Sequence, residues 1–103
     1  MSFRLTARAE EDLDEIDDYV ASEFGEAVAE RVIDRLFETF ELLADNPHMG
    51  RPRPDWAPDE VRFFPMSGTP SLIIYRSRDA LEVLRVWHGR RDPTRIESEV
   101  EDD

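Results

Sequence analysis

Hydrophobic and polar positions follow two different periods along the chain, and the change between them predicts its secondary structure. Residues 3–5 alternate between apolar and polar side chains, which is typical of a short strand. After Thr6, a candidate helix cap, apolar residues recur every three or four positions, so an amphipathic helix is predicted to run as far as Gly25. A second amphipathic helix is predicted over residues 26–45, and Pro47 prevents its continuation.

The second half of the chain changes to strand patterns. Residues 46–60 contain four prolines and one glycine and are predicted to form a loop without regular structure. Three strands are predicted after it, over Val61–Met66, Leu72–Arg76 and Leu81–His88. Their connections are short, and short connections require neighbouring strands to run antiparallel.

The predicted order β-αα-βββ describes an α+β fold, in which a helix hairpin packs on one face of a small, mainly antiparallel sheet. We expect a single domain over residues 1–95, followed by an acidic C-terminal tail over residues 96–103 that frays. The helix stripes and the strands together predict a core that contains Leu13, Ile16, Val20, Ile33, Leu36, Phe40, Ile74 and Leu84.

Composition limits the class of protein. The 103 residues suit one domain, and no apolar run approaches the roughly 20 residues of a membrane span. The first residues lack the apolar stretch of a secretory leader, so we expect a cytoplasmic protein without a membrane segment. There is no cysteine, which excludes disulfides, thiol catalysis and cysteine-bound metal.

The net charge is −12, and all 13 basic residues are arginine. A GC-rich genome and a high-salt cytoplasm both explain an acidic chain without lysine. The charge is uneven: residues 1–45 hold 4 arginines and 14 acids, whereas residues 46–95 hold 9 arginines and 6 acids. The acidic total argues against a general nucleic-acid binder but leaves room for a small basic site in the second half.

Acids crowd the first predicted helix at Glu10, Glu11, Asp12, Asp14, Glu15, Asp17 and Asp18. We interpret this run as a solvated helix face, and we predict no metal site and no cofactor. His88 is a candidate general base, although a structural histidine hydrogen-bonded to backbone at the end of a strand is the favoured interpretation. The chain lacks the glycine-rich motifs that bind nucleotides and the motifs of nucleophilic hydrolysis.

Arginines and one histidine form the candidate target-binding or anion-binding set. The set is Arg51, Arg53, Arg62, His88, Arg90 and Arg91. The first two lie on the proline-rich loop, and the last two follow Gly89 at the end of the final strand. Clustered guanidinium groups bind carboxylate or phosphate through paired hydrogen bonds, whereas isolated ones form surface ion pairs of little energetic consequence. The strand order decides whether the arginines lie close together, and therefore whether they form an anion-binding cluster or isolated ion pairs.

Several segments carry the pattern of a known family: Phe40–Pro54 (FELLADNPHMGRPRP), Val61-Arg62, Ile74-Tyr75-Arg76 and Val86–Asp92 (VWHGRRD). On these segments the chain resembles the RelE/ParE family, the toxins of type II toxin–antitoxin systems. The resemblance covers nearly the whole chain and implies a β-αα-βββ domain, in agreement with the pattern above. It also implies a cognate antitoxin as protein partner and a toxin–antitoxin hetero-oligomer.

The two branches of that family imply different activities. The RelE branch implies a ribosome-dependent endoribonuclease that cuts mRNA with basic residues and a C-terminal tyrosine. Arg51, Arg53, Arg62 and Arg91 match such basic positions, but the tyrosine position falls near Glu97 and residues 93–103 contain no tyrosine. The ParE branch implies inhibition of DNA gyrase without catalysis by the toxin, and the G-R-P-R-P loop and H-G-R-R-D ending are closer to it. The ParE-like reading is therefore preferred, with a RelE-like nuclease and a non-toxic interaction module as alternatives.

Overall fold

The structure, a computed structural model, describes residues 3–66, 68 and 70–89. Its elements are β1 (Phe3–Leu5), α1 (Ala7–Phe24), α2 (Glu26–Asp45), β2 (Arg51–Pro52), β3 (Val61–Pro65), β4 (Ser71–Ser77) and β5 (Leu81–His88). This order confirms the predicted α+β arrangement and adds one element, the two-residue strand β2. The proline-rich segment was wrongly expected to lack regular structure, because proline is compatible with a short edge strand.

Local sequence signals set the limits of the helix hairpin. The Thr6 side chain caps α1 by accepting a hydrogen bond from the Ala9 N–H at 3.1 Å. Gly25 separates α1 from α2 with a φ of 97°, a conformation that glycine adopts without the steric cost of a β-carbon. Neither helix has the length and apolar character needed to cross a bilayer.

The five strands form one sheet in the order β1-β5-β4-β3-β2. Strand β1 runs parallel to β5, and the other neighbours pair antiparallel. In this register, Ser71 pairs with His88 and Pro65 pairs with Leu72. The end of β3, the start of β4 and the end of β5 therefore lie at the same end of the sheet.

The sheet is buried on both faces. The helices cover one face, in a cluster that includes Leu13, Ile16, Val20, Leu36, Phe40, Ile73, Tyr75 and Val83. The segment before β3 covers the other face, where Trp56 and Ala57 pack with Val61, Phe63, Leu72, Ile74, Leu84 and Trp87. The predicted core residues Ile74 and Leu84 are fully buried, but their assignment to the helix side was wrong. Sequence alternation separates the two faces of a strand without showing that loop residues cover the second face.

A buried ion pair joins α1 to β5. The Asp12 carboxylate accepts hydrogen bonds from the Arg85 guanidinium at 2.8 and 3.0 Å, and from the Val86 backbone N–H at 2.9 Å. Both side chains are almost completely buried, at 5% and 2% exposure. The interpretation of the α1 acids as solvated was therefore wrong for Asp12. Because β1 pairs with β5 only over residues 81–83, this carboxylate satisfies an N–H of β5 beyond the end of β1.

Candidate functional site

A groove lies at the β2 edge of the sheet, on the face opposite the helices. We call it the arginine groove, and it is lined by Met49, Arg51, Arg53, Trp56, Phe63, Phe64, Pro65 and Leu72. Its volume is about 550 Å³. Arg51 pairs with Phe63 in the register of β2 and β3. One of the two guanidinium groups of the groove therefore belongs to the edge strand itself. Two predicted site residues, Arg51 and Arg53, thus share one surface.

The two arginines of the groove have few carboxylate partners. Arg53 stacks on the Trp56 ring with its guanidinium carbon 3.6 Å from the ring centroid, and its Nε lies 3.7 Å from an Asp55 oxygen. Arg51 is exposed and makes no ion pair with a carboxylate of the described residues. By contrast, Arg76 and Arg78 make ion pairs at 2.6 and 3.0 Å. The groove therefore combines an apolar floor with positive charge available to a ligand.

The Tyr75 hydroxyl fixes the loop that precedes the groove. It donates a hydrogen bond to the Pro47 carbonyl at 2.8 Å and accepts one from the Gly50 N–H at 2.8 Å. A β-carbon on Gly50 would lie 2.5 Å from this hydroxyl, so the approach requires glycine. Burial raises the pKa of Tyr75, although the Gly50 N–H and the charge of Arg62 oppose this, so the hydroxyl keeps its proton and donates.

Arg62 holds the same loop from the opposite face of the sheet. Its guanidinium donates to the Gly50 carbonyl at 2.7 Å. It alternates along β3 with Val61 and Phe63, which belong to the cluster on the groove side, so it lies on the opposite face. Arg62 therefore positions the backbone next to Arg51 and does not line the groove.

We expect the substitution Tyr75→Phe to lower the free energy of unfolding by about 1–3 kcal/mol, because one buried and one partly buried backbone group lose their partner. The wild-type protein should also lose stability as the pH rises above about 10, since a folded-state pKa raised by burial favours the protonated hydroxyl. This alkaline loss should be smaller in the variant. Chemical denaturation at pH 7 and pH 10.5 measures both effects.

The matched control for this experiment is Tyr19→Phe. The chain has two tyrosines, and Tyr19 is 53% exposed, so its hydroxyl holds no buried loop. Acrylamide quenching of tryptophan fluorescence should increase in Tyr75→Phe, because the loop that carries Trp56 loosens, and should not change in the control. Equal stability of the two variants would contradict the assigned role of Tyr75.

His88 lies away from Arg62 and from the loop that Tyr75 holds. Its Nδ1 is 2.9 Å from the Ser71 hydroxyl, and its ring lies 5.9 Å from the Tyr19 ring. Burial lowers the pKa of His88, so the imidazole is neutral at neutral pH. Arg62 pairs with Tyr75, which pairs with Val83, five residues before His88 and roughly 16 Å along the strand. The described structure thus does not bring Arg62 and His88 into one surface.

Arg90 and Arg91 lie outside the described residues. The last described position, Gly89, donates its N–H to the Pro70 carbonyl at 2.8 Å. This places the end of β5 at the same end of the sheet as Pro65 and Leu72 of the arginine groove. The four described residues of the predicted set are thus divided: Arg51 and Arg53 line the groove, Arg62 holds the loop beside it, and His88 lies at the end of β5. Within the described part of the chain, no group of three or more His, Asp or Glu side chains has the arrangement of a metal site.

Sequence reasoning missed Trp56 and Gly50 as site residues and used Tyr75 only as part of a family segment. Trp56 between prolines carried a usable signal, since an aromatic residue close to Arg53 in a loop favours stacking. Gly50 and Tyr75 carried no such signal, because they are 25 residues apart and meet only in the folded sheet.

Comparisons with known proteins agree with this fold. Residues 3–93 match the family model of the ParE toxin of type II toxin–antitoxin systems, parDE. The fold is similar to a chain in the solved structure of the chromosomal ParDE TA system from P. aeruginosa, with a TM-score of 0.74 and 25% sequence identity. That alignment covers 87% of this chain and 97% of the other. No curated protein sequence matches this chain.

Proposed function

We propose that this chain, which belongs to the ParE toxin family of type II toxin–antitoxin systems, acts in the cytoplasm as an inhibitor of DNA gyrase. In this proposal the toxin binds its target without catalysing a reaction and needs no cofactor. A cognate antitoxin neutralises it within a hetero-oligomer. The observation that carries the proposal is the family match over residues 3–93, together with a structural neighbour from a ParDE system.

The form of the arginine groove supports a binding function. Its two guanidinium groups sit above an apolar floor, and the described lining of the groove contains no Asp, Glu, His or Tyr side chain that could act as an acid or base. Arg51 and Arg53 are therefore suited to hold a partner's anionic groups, while Arg62 and Tyr75 hold the loop. Arg90 and Arg91 remain proposed members of the target surface, and His88 is proposed to support them from the end of β5.

The endoribonuclease alternative makes different demands on the site. A nuclease must move protons at the scissile phosphate, which needs a general acid or base within hydrogen-bond reach. The neutral His88 imidazole is hydrogen-bonded to Ser71, and its strand β5 is separated from the edge strand β2 by β4 and β3. This separation favours gyrase inhibition over mRNA cleavage as the proposed activity.

We expect Arg51→Ala combined with Arg53→Ala to weaken gyrase inhibition about tenfold or more, because two charged contacts to the target are lost. The separate variants Arg90→Ala and Arg91→Ala should weaken it in the same direction. A supercoiling assay with purified gyrase measures the toxin concentration needed for half-inhibition. Arg31→Ala, which removes an exposed arginine from α2, is the matched control and should behave as wild type.

Each variant is accepted only if its melting temperature equals that of the wild-type protein. Full inhibition by all the groove and strand-end variants would place the target surface elsewhere. A wild-type chain that leaves gyrase active but cleaves mRNA on the ribosome would replace the proposed activity with the RelE-like one. A chain that neither inhibits gyrase nor cleaves mRNA would support the hypothesis of a non-toxic interaction module.

A further inference from the structure

We propose that a pocket between α1 and the end of β5 binds an arginine side chain carried on an extended segment of the toxin's target. We call it the β5-end pocket, and its volume is about 390 Å³. It lies on the helix side of the sheet, whereas the arginine groove lies on the opposite face. The inference rests on the proposed function, since it takes DNA gyrase as the protein that supplies the segment. The lining of the pocket includes Glu15, Ile16, Tyr19, Pro70, Val86 and His88.

The floor and rim of the β5-end pocket suit a long side chain with an aliphatic stem. Ile16 and Val86 form an apolar floor and are almost completely buried, so the pocket reaches the helix-side core. At the rim, Tyr19 is 53% exposed, and its ring lies 5.9 Å from the His88 ring at an interplanar angle of 57°. An arginine stem can contact the floor while its guanidinium group stacks on the exposed Tyr19 ring.

The charge of α1 selects a cation for this pocket. Glu15 lines it, and the exposed acids Glu11 and Asp18 are neighbours of Glu15 at the four- and three-residue spacings of the helix. Asp12 also lines the pocket, but the Arg85 guanidinium compensates its charge at 2.8 Å. No arginine is among the lining residues that the structure describes. The pocket therefore repels anions and attracts a guanidinium group, which can pair with a carboxylate through two hydrogen bonds.

A hydrogen bond to a buried residue fixes the His88 ring beside the pocket. Ser71 is almost completely buried, and its hydroxyl lies 2.9 Å from Nδ1 of His88. A buried hydroxyl that does not donate its proton leaves an unsatisfied group, so we assign Nδ1 as the acceptor and Nε2 as the protonated nitrogen. Burial lowers the pKa of His88, so the ring adds no positive charge to the pocket at neutral pH. The ring is oriented before a ligand arrives, which lowers the entropic cost of binding.

The backbone of β5 favours an arginine on a peptide over a free organic cation. Strand β1 pairs with β5 only as far as Val83, and on that side of β5 the Val86 N–H donates to a carboxylate of α1. The Gly89 N–H points the other way and donates to the Pro70 carbonyl. Since the backbone groups of successive strand residues alternate in direction, the Val86 carbonyl and the His88 N–H face the edge beyond the end of β1. An extended segment that bonds to this edge places one of its side chains over the pocket.

The first test titrates the full-length chain with small probes and follows side-chain signals by NMR. The probes are a blocked pentapeptide, Thr-Val-Arg-Val-Thr, its citrulline analogue, and agmatine as a free guanidinium compound. The arginine peptide should shift the ring signals of Tyr19 and His88 and leave those of Tyr75 and His48, which do not line the pocket, unchanged. The citrulline peptide has the same shape without the charge and should bind about tenfold more weakly or worse. Agmatine cannot bond to the strand edge and should also bind about tenfold more weakly.

The second test compares variants with the same chemical change. Glu15→Gln removes a charge from the pocket, and Glu30→Gln removes one from an exposed position on α2 outside it. At unchanged melting temperature, Glu15→Gln should weaken binding of the arginine peptide about tenfold and raise the toxin concentration for half-inhibition of gyrase about fivefold or more. Glu30→Gln should change both by less than about twofold. Tyr19→Ala should also weaken peptide binding, whereas Tyr19→Phe keeps the ring and should bind as wild type.

The outcomes separate this inference from the proposed function. Inhibition of gyrase by Glu15→Gln at the wild-type concentration, with no peptide-induced shift at Tyr19 or His88, would overturn the pocket and leave gyrase inhibition intact. Equal losses in Glu15→Gln and Glu30→Gln would reduce the effect to overall charge and would also overturn the pocket. A citrulline peptide or agmatine that binds as tightly as the arginine peptide would overturn the assigned ligand. A wild-type chain that binds the arginine peptide but leaves gyrase active would overturn the proposed function, and with it gyrase as the source of the segment.

Discussion

Asp12→Ala is expected to lower the free energy of unfolding by about 3–5 kcal/mol, because it removes the carboxylate that forms a buried ion pair with the Arg85 guanidinium. The Arg85 side chain is 2% exposed and cannot reach water without disrupting β5. The same substitution removes the acceptor of the Val86 N–H at 2.9 Å. Urea denaturation followed by circular dichroism measures the change, provided that the variant still unfolds in one cooperative transition.

Two further variants separate the buried pair from general charge effects. Asp14→Ala removes an exposed acid from the same helix and should change stability by about 0.5 kcal/mol or less. Replacing Asp12 and Arg85 together by leucine and methionine should recover much of the loss, because the uncompensated charge disappears with its partner. If Asp12→Ala is as stable as Asp14→Ala, the described ion pair does not hold α1 against β5.

Leu36→Ala is expected to destabilise the protein by about 2–5 kcal/mol through lost burial and a residual cavity. Leu36 is fully buried on α2, where it packs in the helix-side cluster with Phe40 and the sheet. The cost depends on how far the neighbouring side chains relax into the space. The midpoint and slope of a urea titration measure it, and an unchanged slope shows that the unfolded state is the same.

The control for this cavity is Leu42→Ala on the same helix. Leu42 is 46% exposed, so the same chemical change removes mainly solvated surface and should cost about 0.5 kcal/mol or less. Both substitutions change helix propensity by the same amount. The difference between their losses of unfolding free energy therefore measures the contribution of burial. Similar losses for both would show that α2 presents a different face to the sheet.

The sequence by itself determined the fold class and every described element except the short strand β2. The spacing of apolar residues along α1 and α2 identified the buried face of each helix, because helical periodicity is a local property of the chain. These faces carry the buried residues Leu13, Ile16, Leu36 and Phe40. The Thr6 cap and the Gly25 break were also readable, since each depends on its immediate neighbours. The limits of the predicted strands differ from the observed ones by at most one residue, because they too depend on neighbouring residues in the sequence.

The tertiary structure alone decided the long-range pairs. Asp12 is indistinguishable in sequence from the six other acids of its run, and it became buried only because Arg85 lies 73 positions away on the adjoining strand. Tyr75 and Gly50 likewise meet through the pairing of β4 with β3 and not through any local motif. The strand order also placed Arg51 and Arg53 together in a groove while turning Arg62 to the opposite face. Periodicity shows which face of an element is buried, but only the arrangement of the strands decides which charged groups become neighbours.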